Sequence, residues 1–111
     1  MKLPEDTILA PEKFFRYLLI WRPVDDKSKF LAFAGYTPDN WQILVHDLRR
    51  QILVKDATEI EQTKYGTVYE IRGNLQGPNG KILSIVTIWM AESKTEQTKF
   101  VTLYPAKEKK P

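Results

Sequence analysis

The sequence predicts an α+β domain in which two N-terminal helices pack on one face of a three- to four-stranded antiparallel sheet. In the first half of the chain, apolar residues recur at the spacing of a helix, and after about residue 56 they recur at alternate positions. A sheet of this kind must bury one face, and the two helices are the only elements that can cover it. The 111 residues fit one domain, which we expect to span residues 1–105.

The first predicted helix spans residues 11–21. Pro11 suits the first helical position, and Glu12 in the first turn complements the helix dipole. One stripe of the helix is apolar and consists of Phe14, Tyr17, Leu18 and Trp21. Pro23 ends the helix because a proline disfavours helical geometry at the residue before it. The stripe predicts that Trp21 is part of the core, like Trp41 and Trp89.

The second predicted helix spans residues 38–53. Thr37 is a favourable N-cap, and Pro38 occupies the first helical position. One face of this helix is apolar from end to end, formed by Trp41, Leu44, Val45, Leu48 and Ile52. A short helical turn, closed by Gly35, is predicted at residues 29–34, between the two helices.

Four segments after residue 56 have the patterns of strands. Residues 58–62 are short and mostly polar, which suits the edge of a sheet. Residues 68–76 alternate apolar and polar side chains, which predicts a strand with one buried face. Residues 81–90 are apolar at both alternating positions, which predicts a central strand or one covered on both faces. Residues 99–105 form the last predicted strand.

Composition excludes several classes of protein. The chain has no cysteine and a single histidine, so disulfide scaffolds, cysteine–zinc sites and thiol nucleophiles are excluded, and we expect no metal or cofactor. It has no apolar run long enough to cross a membrane, and its first residues lack the apolar stretch of a secretory leader, so we expect no secretion, no membrane association and a cytoplasmic location. The net charge of +3 comes mostly from residues 106–111, which we expect to form a disordered basic tail. The near-neutral remainder does not favour a duplex-binding protein.

Three side chains are candidates for acid–base chemistry: His46, Lys64 and Arg72. His46 is the only imidazole, but the helical period turns it toward water, which is typical of a surface histidine. Lys64 lies between two predicted strands, where with Tyr65 it could bind a phosphate or polarise a 2′-hydroxyl, although Gly66 could equally mark a bulge or a turn. Arg72 could instead form an ion pair across the strands, or one on the same face of its own strand, where Glu70 lies two residues away.

Several motifs resemble an uncharacterised bacterial family of small domains. The most specific are Gly35-Tyr36-Thr37-Pro38, Thr63-Lys64-Tyr65-Gly66-Thr67 and Val101-Thr102-Leu103-Tyr104-Pro105. Members of this family occur as standalone proteins, notably in cyanobacteria, and as terminal modules of polymorphic-toxin-like proteins. The resemblance runs from Pro11 to Pro105 and implies helices followed by an antiparallel sheet, similar to small microbial ribonuclease toxins.

The resemblance also implies which polar residues could form a site. These are Lys29, Lys64, Tyr65, Thr67, Arg72 and Thr87, all of them except Arg72 candidates for binding. The chain departs from the family pattern at two positions. Arg22-Pro23 stands where a His-Pro pair is common, and Val86 stands where an arginine is common, so two candidate catalytic groups are missing.

We therefore expect a non-enzymatic interaction or accessory protein with a protein partner that the sequence does not identify. The alternative is a metal-independent ribonuclease-like domain, for which His46, Lys64 and Arg72 are the groups to test. RNA is an expected partner only under that alternative. Neither hypothesis predicts an oligomeric state.

Overall fold

Four antiparallel strands form one sheet whose spatial order, β1-β2-β3-β4, follows the chain. In the computed structural model, which describes residues 1–24 and 26–106, these strands are β1 (Thr58–Thr63), β2 (Gly66–Gln76), β3 (Ile82–Glu92) and β4 (Thr98–Pro105). The prediction of an antiparallel sheet of up to four strands is confirmed, with the shortest and most polar strand at one edge. The apolar strand β3 has a neighbour on each side, as its pattern predicted.

Three helical segments precede the sheet. The first, α1, begins with an α-helical turn, Pro11–Lys13, and continues as a π-helical turn, Phe14–Leu18. The short helix α2 spans Ser28–Phe33. The longest helix, α3, combines a 3₁₀ turn at Pro38–Asn40, an α-helical segment at Trp41–Asp47 and a π-helical turn at Leu48–Ile52.

The predicted helix at 38–53 is confirmed, whereas the predicted helix at 11–21 ends early. In α1 the N–H of Leu19 donates to the carbonyl of Phe14, five residues back, at 3.1 Å. This wider turn brings both Leu18 and Leu19 into the core and leaves Trp21 beyond the helix. Trp21 is 61% exposed, so its predicted place in the core is wrong.

The core lies between the helices and one face of the sheet. Phe14 of α1 stacks on Phe100 of β4 with ring centroids 5.3 Å apart, and Phe100 meets the buried Trp89 edge-on at 5.2 Å. The other two tryptophans predicted for the core differ in burial. Trp89 is fully buried, whereas Trp41 is partly buried and packs against Phe15. Fully buried apolar residues on α3 and on the central strands include Leu44, Leu48, Ile52, Ile71, Leu75 and Ile85.

Among the described residues, no helix lies on the opposite face of the sheet. We call it the open face. Since paired residues of antiparallel strands share a face, the register of β2 with β3 and of β3 with β4 identifies its members. They include Val68, Glu70, Arg72, Val86, Ile88, Met90, Lys99, Thr102 and Tyr104.

The last predicted segment, the basic tail at 106–111, lies almost wholly outside the described residues. Of its positions only Ala106 is described, and its N–H donates to the carbonyl of Ser84 at 2.9 Å.

Candidate functional site

The motif that contains Lys64 and Tyr65 forms the two-residue turn between β1 and β2. Both side chains are exposed, and the Lys64 ammonium lies 5.1 Å from the centre of the Tyr65 ring. The turn is held against the start of the β3–β4 connection, since the N–H of Ser93 donates to the Tyr65 carbonyl at 2.9 Å. The adjoining Thr67 is half-buried and paired with Ala91.

Gly66 has a structural role in this turn. A Cβ atom at Gly66 would lie 2.1 Å from the carbonyl oxygen of Ala91, and the residue has a φ of +154°. Of the two roles considered for Gly66, the turn is confirmed, and the pairing of Thr63 with Gly66 shows no bulge at this residue. The turn and the neighbouring strand need glycine here whether or not the turn binds a ligand.

Arg72 lies far from that turn, on the open face. Its Nε donates to a carboxylate oxygen of Glu70 at 2.7 Å, the same-face ion pair considered from the sequence. Six residues of extended strand separate Arg72 from Gly66, so about 20 Å lies between Arg72 and the turn at a rise of about 3.3 Å per residue. The two candidate groups do not meet.

His46 is exposed on α3, as the helical period predicted. Helix α3 packs on the face of the sheet opposite to Arg72, so the sheet lies between the two side chains. His46, Lys64 and Arg72 therefore occupy three separate parts of the molecule, and acid–base catalysis needs groups within hydrogen-bond reach of one substrate.

The remaining binding candidates divide between surface and core. Lys29 is exposed at the start of α2. Thr87 is fully buried: its hydroxyl donates to the carbonyl of Ile71 at 2.9 Å and accepts from the indole N–H of Trp89 at 2.7 Å. The Thr87 hydroxyl therefore both donates and accepts a hydrogen bond inside the core, where it is not exposed to a ligand at the surface.

The β4 edge of the sheet is covered over the first half of the strand. Ile8 pairs with it in parallel: the N–H of Ile8 donates to the Thr98 carbonyl, and the N–H of Phe100 donates to the Ile8 carbonyl, each at 2.8 Å. Farther along, the ammonium of Lys13 donates to the Val101 carbonyl at 3.1 Å. Lys27 donates to the Thr102 hydroxyl at 3.3 Å. The sequence predicts no element before residue 11, so the pairing of Ile8 with this edge was not predicted.

The β1 edge is open. Met1 covers only the residue before the strand, through a hydrogen bond from the N–H of Ala57 to the Met1 carbonyl at 2.6 Å. Among the described residues, the backbone groups of Thr58–Thr63 make no hydrogen bond outside the ladder with β2. Residues 58–62 are all exposed, and Ile60 retains 49% of its surface. We call this the free edge.

A β-bulge gives the free edge an unusual distribution of charge. Glu59 is paired with Tyr69 and Glu61 with Val68, so Ile60 has no partner of its own. Since Tyr69 and Val68 are adjacent on β2, they face opposite sides of the sheet. In a regular strand, residues 59 and 61 would share a face. The bulge instead places one carboxylate on each side of the free edge.

The glutamates inside the sheet differ from those at the free edge. Glu70 is paired with Arg72, and Glu92 accepts from the ammonium of Lys99 at 2.9 Å. Hydrogen bonds from Lys99 and from the Thr95 hydroxyl lower the pKa of Glu92. Within residues 1–24 and 26–106, neither Glu59 nor Glu61 has an ion-pair partner.

The part of the chain that the structure describes contains no group of three or more histidine, aspartate or glutamate side chains placed to hold a metal ion. None of its helices is long and apolar enough to cross a bilayer.

The fold and its edges define the class of protein: a small α+β domain with one helical layer, one antiparallel sheet and one free, acidic strand edge. A family model, described as a domain of unknown function (DUF6883), matches residues 2–107. The match covers nearly the whole chain, so the protein belongs to this family. Comparison with curated proteins and with solved structures finds no match.

Proposed function

We propose that this domain is a non-enzymatic interaction module that binds an extended segment of a partner protein along the free edge of β1, in the cytoplasm of a bacterium. The observation that carries the proposal is the contrast between the two edges of the sheet. The edge at β4 is covered at residues 98–101 by Ile8 and Lys13, whereas among the described residues the backbone of β1 makes no hydrogen bond on its outer side.

An unpaired strand is a ready template for another strand. Its outward N–H and C=O groups can form a ladder with an incoming segment, and each hydrogen bond contributes about 0.5–1.5 kcal/mol net. Proteins commonly block such edges, and this chain blocks one of its two. Strand addition also needs no cavity or catalytic group, which fits a domain whose candidate catalytic residues lie apart.

The ribonuclease-like alternative has less support. It requires a general base and a general acid at one phosphodiester, whereas His46, Lys64 and Arg72 lie at separate places. The acidic free edge would also repel the phosphates of RNA. Hydrolysis of single-stranded RNA by the purified domain, lost in alanine variants of these three residues, would overturn the non-enzymatic proposal.

The direct test uses seven-residue peptides in which valine alternates with a neutral, a basic or an acidic residue. We expect at least one of them to shift the amide NMR signals of residues 58–63 and to slow their hydrogen exchange. N-methylation of alternate peptide residues should abolish binding because it removes the ladder donors. Binding that survives methylation, or that maps elsewhere, would contradict strand addition.

A matched protein variant is Ile60→Pro. Ile60 has no ladder partner on β2, and proline is tolerated at edges and bulges, so the fold should persist. The added ring removes the backbone N–H of residue 60 and obstructs a strand that would pair along this edge. We expect the variant to lose peptide binding while its circular dichroism and thermal midpoint stay close to those of the wild type. If the variant bound the peptides as well as the wild type does, the free edge would not be the binding surface.

A further inference from the structure

We infer that the segment bound at the free edge is basic, with lysine or arginine side chains on both of its faces, and that it is not a second copy of this chain. This inference rests on the proposed function and specifies the partner. Its basis is the placement of Glu59 and Glu61 on opposite sides of the edge by the bulge at Ile60.

An incoming strand meets one carboxylate on each face. Side chains of neighbouring strands that lie opposite one another are about 4.5–5.5 Å apart at Cβ, close enough for an ion pair to form. A strand with cations on only one face would satisfy one carboxylate, whereas a strand with cations on both faces would satisfy Glu59 and Glu61 together.

Both carboxylates are available for such a partner. Their acidic counterparts on β2 and β3, Glu70 and Glu92, already have a cation from the same sheet. Glu59 makes only a long contact with the side-chain amide of Gln62, at 3.4 Å, and no ion pair among the described residues involves Glu61. Both side chains are exposed, so a partner can reach them without moving the core.

The same charges disfavour pairing of two copies. A two-fold axis would place β1 antiparallel to β1 of the other molecule, because a symmetric dimer contacts itself through the same patch. The two strands together would then carry four carboxylates and no basic residue, since β1 reads Thr-Glu-Ile-Glu-Gln-Thr. Like charges that face each other across strands are destabilising. The free edge therefore repels its own copy and attracts a cationic strand.

The test compares a capped peptide of alternating lysine and valine with one of alternating glutamate and valine, each seven residues long. To place cations on both faces, a third peptide carries lysine at two adjacent positions. We expect the lysine peptides to bind at residues 58–63, most tightly the one with cations on both faces, and their affinity to fall as salt is raised.

Two double variants distinguish a local effect of the two carboxylates on β1 from a general effect of the protein's net charge. In Glu59→Gln/Glu61→Gln the shape is kept and the charge removed, and we expect the affinity for the lysine peptides to fall about fivefold. The control, Glu12→Gln/Glu96→Gln, removes two exposed carboxylates away from β1 and should bind like the wild type. An equal loss in both variants would show a general charge effect and overturn the inference.

The failures can be told apart. Equal binding of the glutamate peptide at residues 58–63 would overturn the basic partner and leave strand addition standing. Binding of no peptide at this edge would refute the proposed function itself. Sedimentation as a dimer that Ile60→Pro converts to a monomer would show that the partner is a second copy.

Discussion

At the scale of single residues, the buried Tyr36 links α3 to the end of β2. Its hydroxyl donates to a carboxylate oxygen of Asp47 at 2.6 Å, and the carbonyl of Gln76 lies 3.3 Å away. Burial, followed by the hydrogen bond and the negative charge of Asp47, raises the pKa of Tyr36 far above its ordinary value. The phenol is therefore held in its neutral form in the folded protein.

We predict that Tyr36→Phe lowers the free energy of unfolding by about 1–2 kcal/mol at pH 7, because Asp47 loses a donor. In the wild type, the unfolded chain loses the Tyr36 proton near pH 10, whereas the folded chain retains it. Stability should therefore fall as the pH rises above about 10, and part of this fall should be missing in the variant. Urea unfolding between pH 7 and 11 measures both effects. If the free energy of unfolding changed with pH in the same way in both proteins, the raised pKa would not belong to Tyr36.

Residues on regular faces could be predicted from the sequence, and buried polar residues could not. The helical period correctly turned His46 to solvent, and two-residue spacing correctly paired Arg72 with Glu70. Thr87 was a binding candidate because the family resemblance implied it and its side chain is polar. Its hydroxyl is used by the indole N–H of Trp89, and sequence alone does not reveal that a buried tryptophan needs a nearby acceptor.

At the scale of elements, local signals placed the starts of the helices better than their ends. Pro11 and Pro38 begin helices as predicted. The π turns at Phe14–Leu18 and Leu48–Ile52 have no such local signal, and the first of them explains the exposed Trp21. The polar composition of residues 58–62 correctly indicated an edge strand. The bulge that divides its charges was not predictable, because a strand exposed on both faces carries no alternation to show a shift.

The substitution Gly66→Ala tests the hairpin between β1 and β2. The Cβ of the new alanine would lie 2.1 Å from the Ala91 carbonyl oxygen, so the backbone of β2 or β3 must shift. We expect a loss of about 2–4 kcal/mol in the free energy of unfolding, measured with urea. The control is Gly80→Ala, where φ is +87° and no atom lies within 4 Å of the new Cβ. That variant should lose only about 1 kcal/mol, through backbone strain.

If the two glycine variants lost the same stability, the close approach of Gly66 to β3 would not be the cause. The hairpin matters for the proposed function too, because its strand β1 forms the free edge. A shift of Gly66 would disturb the pairing of Thr63 with Gly66, the last pair before the turn. We therefore expect Gly66→Ala to weaken strand addition as well as stability.

At the scale of the whole molecule, a helical layer covers one face of the sheet, and within residues 1–24 and 26–106 the side chains of the sheet itself cover the other. The open face still holds apolar residues: Val86 is buried, and Ile88 and Met90 are half-buried. Polar neighbours in register cover them, since Val86 is flanked by Arg72 and Tyr104, and Ile88 by Glu70 and Thr102. This arrangement explains why β3 reads as apolar at both alternating positions although only one of its faces meets a helix.

Two substitutions on the same strand measure this asymmetry, Ile85→Ala on the helical side and Ile88→Ala on the open face. Ile85 is fully buried against the helices, so its truncation should cost about 2–5 kcal/mol through lost burial and a cavity. Ile88 is half-buried, and its site opens to solvent instead of leaving a cavity, so about 1–2 kcal/mol is expected. Urea unfolding at two protein concentrations measures the loss in free energy of unfolding for each variant. Equal costs, or a cost at Ile88 that grows with concentration, would mean that another copy covers the open face, and the free edge would then not be the main binding surface.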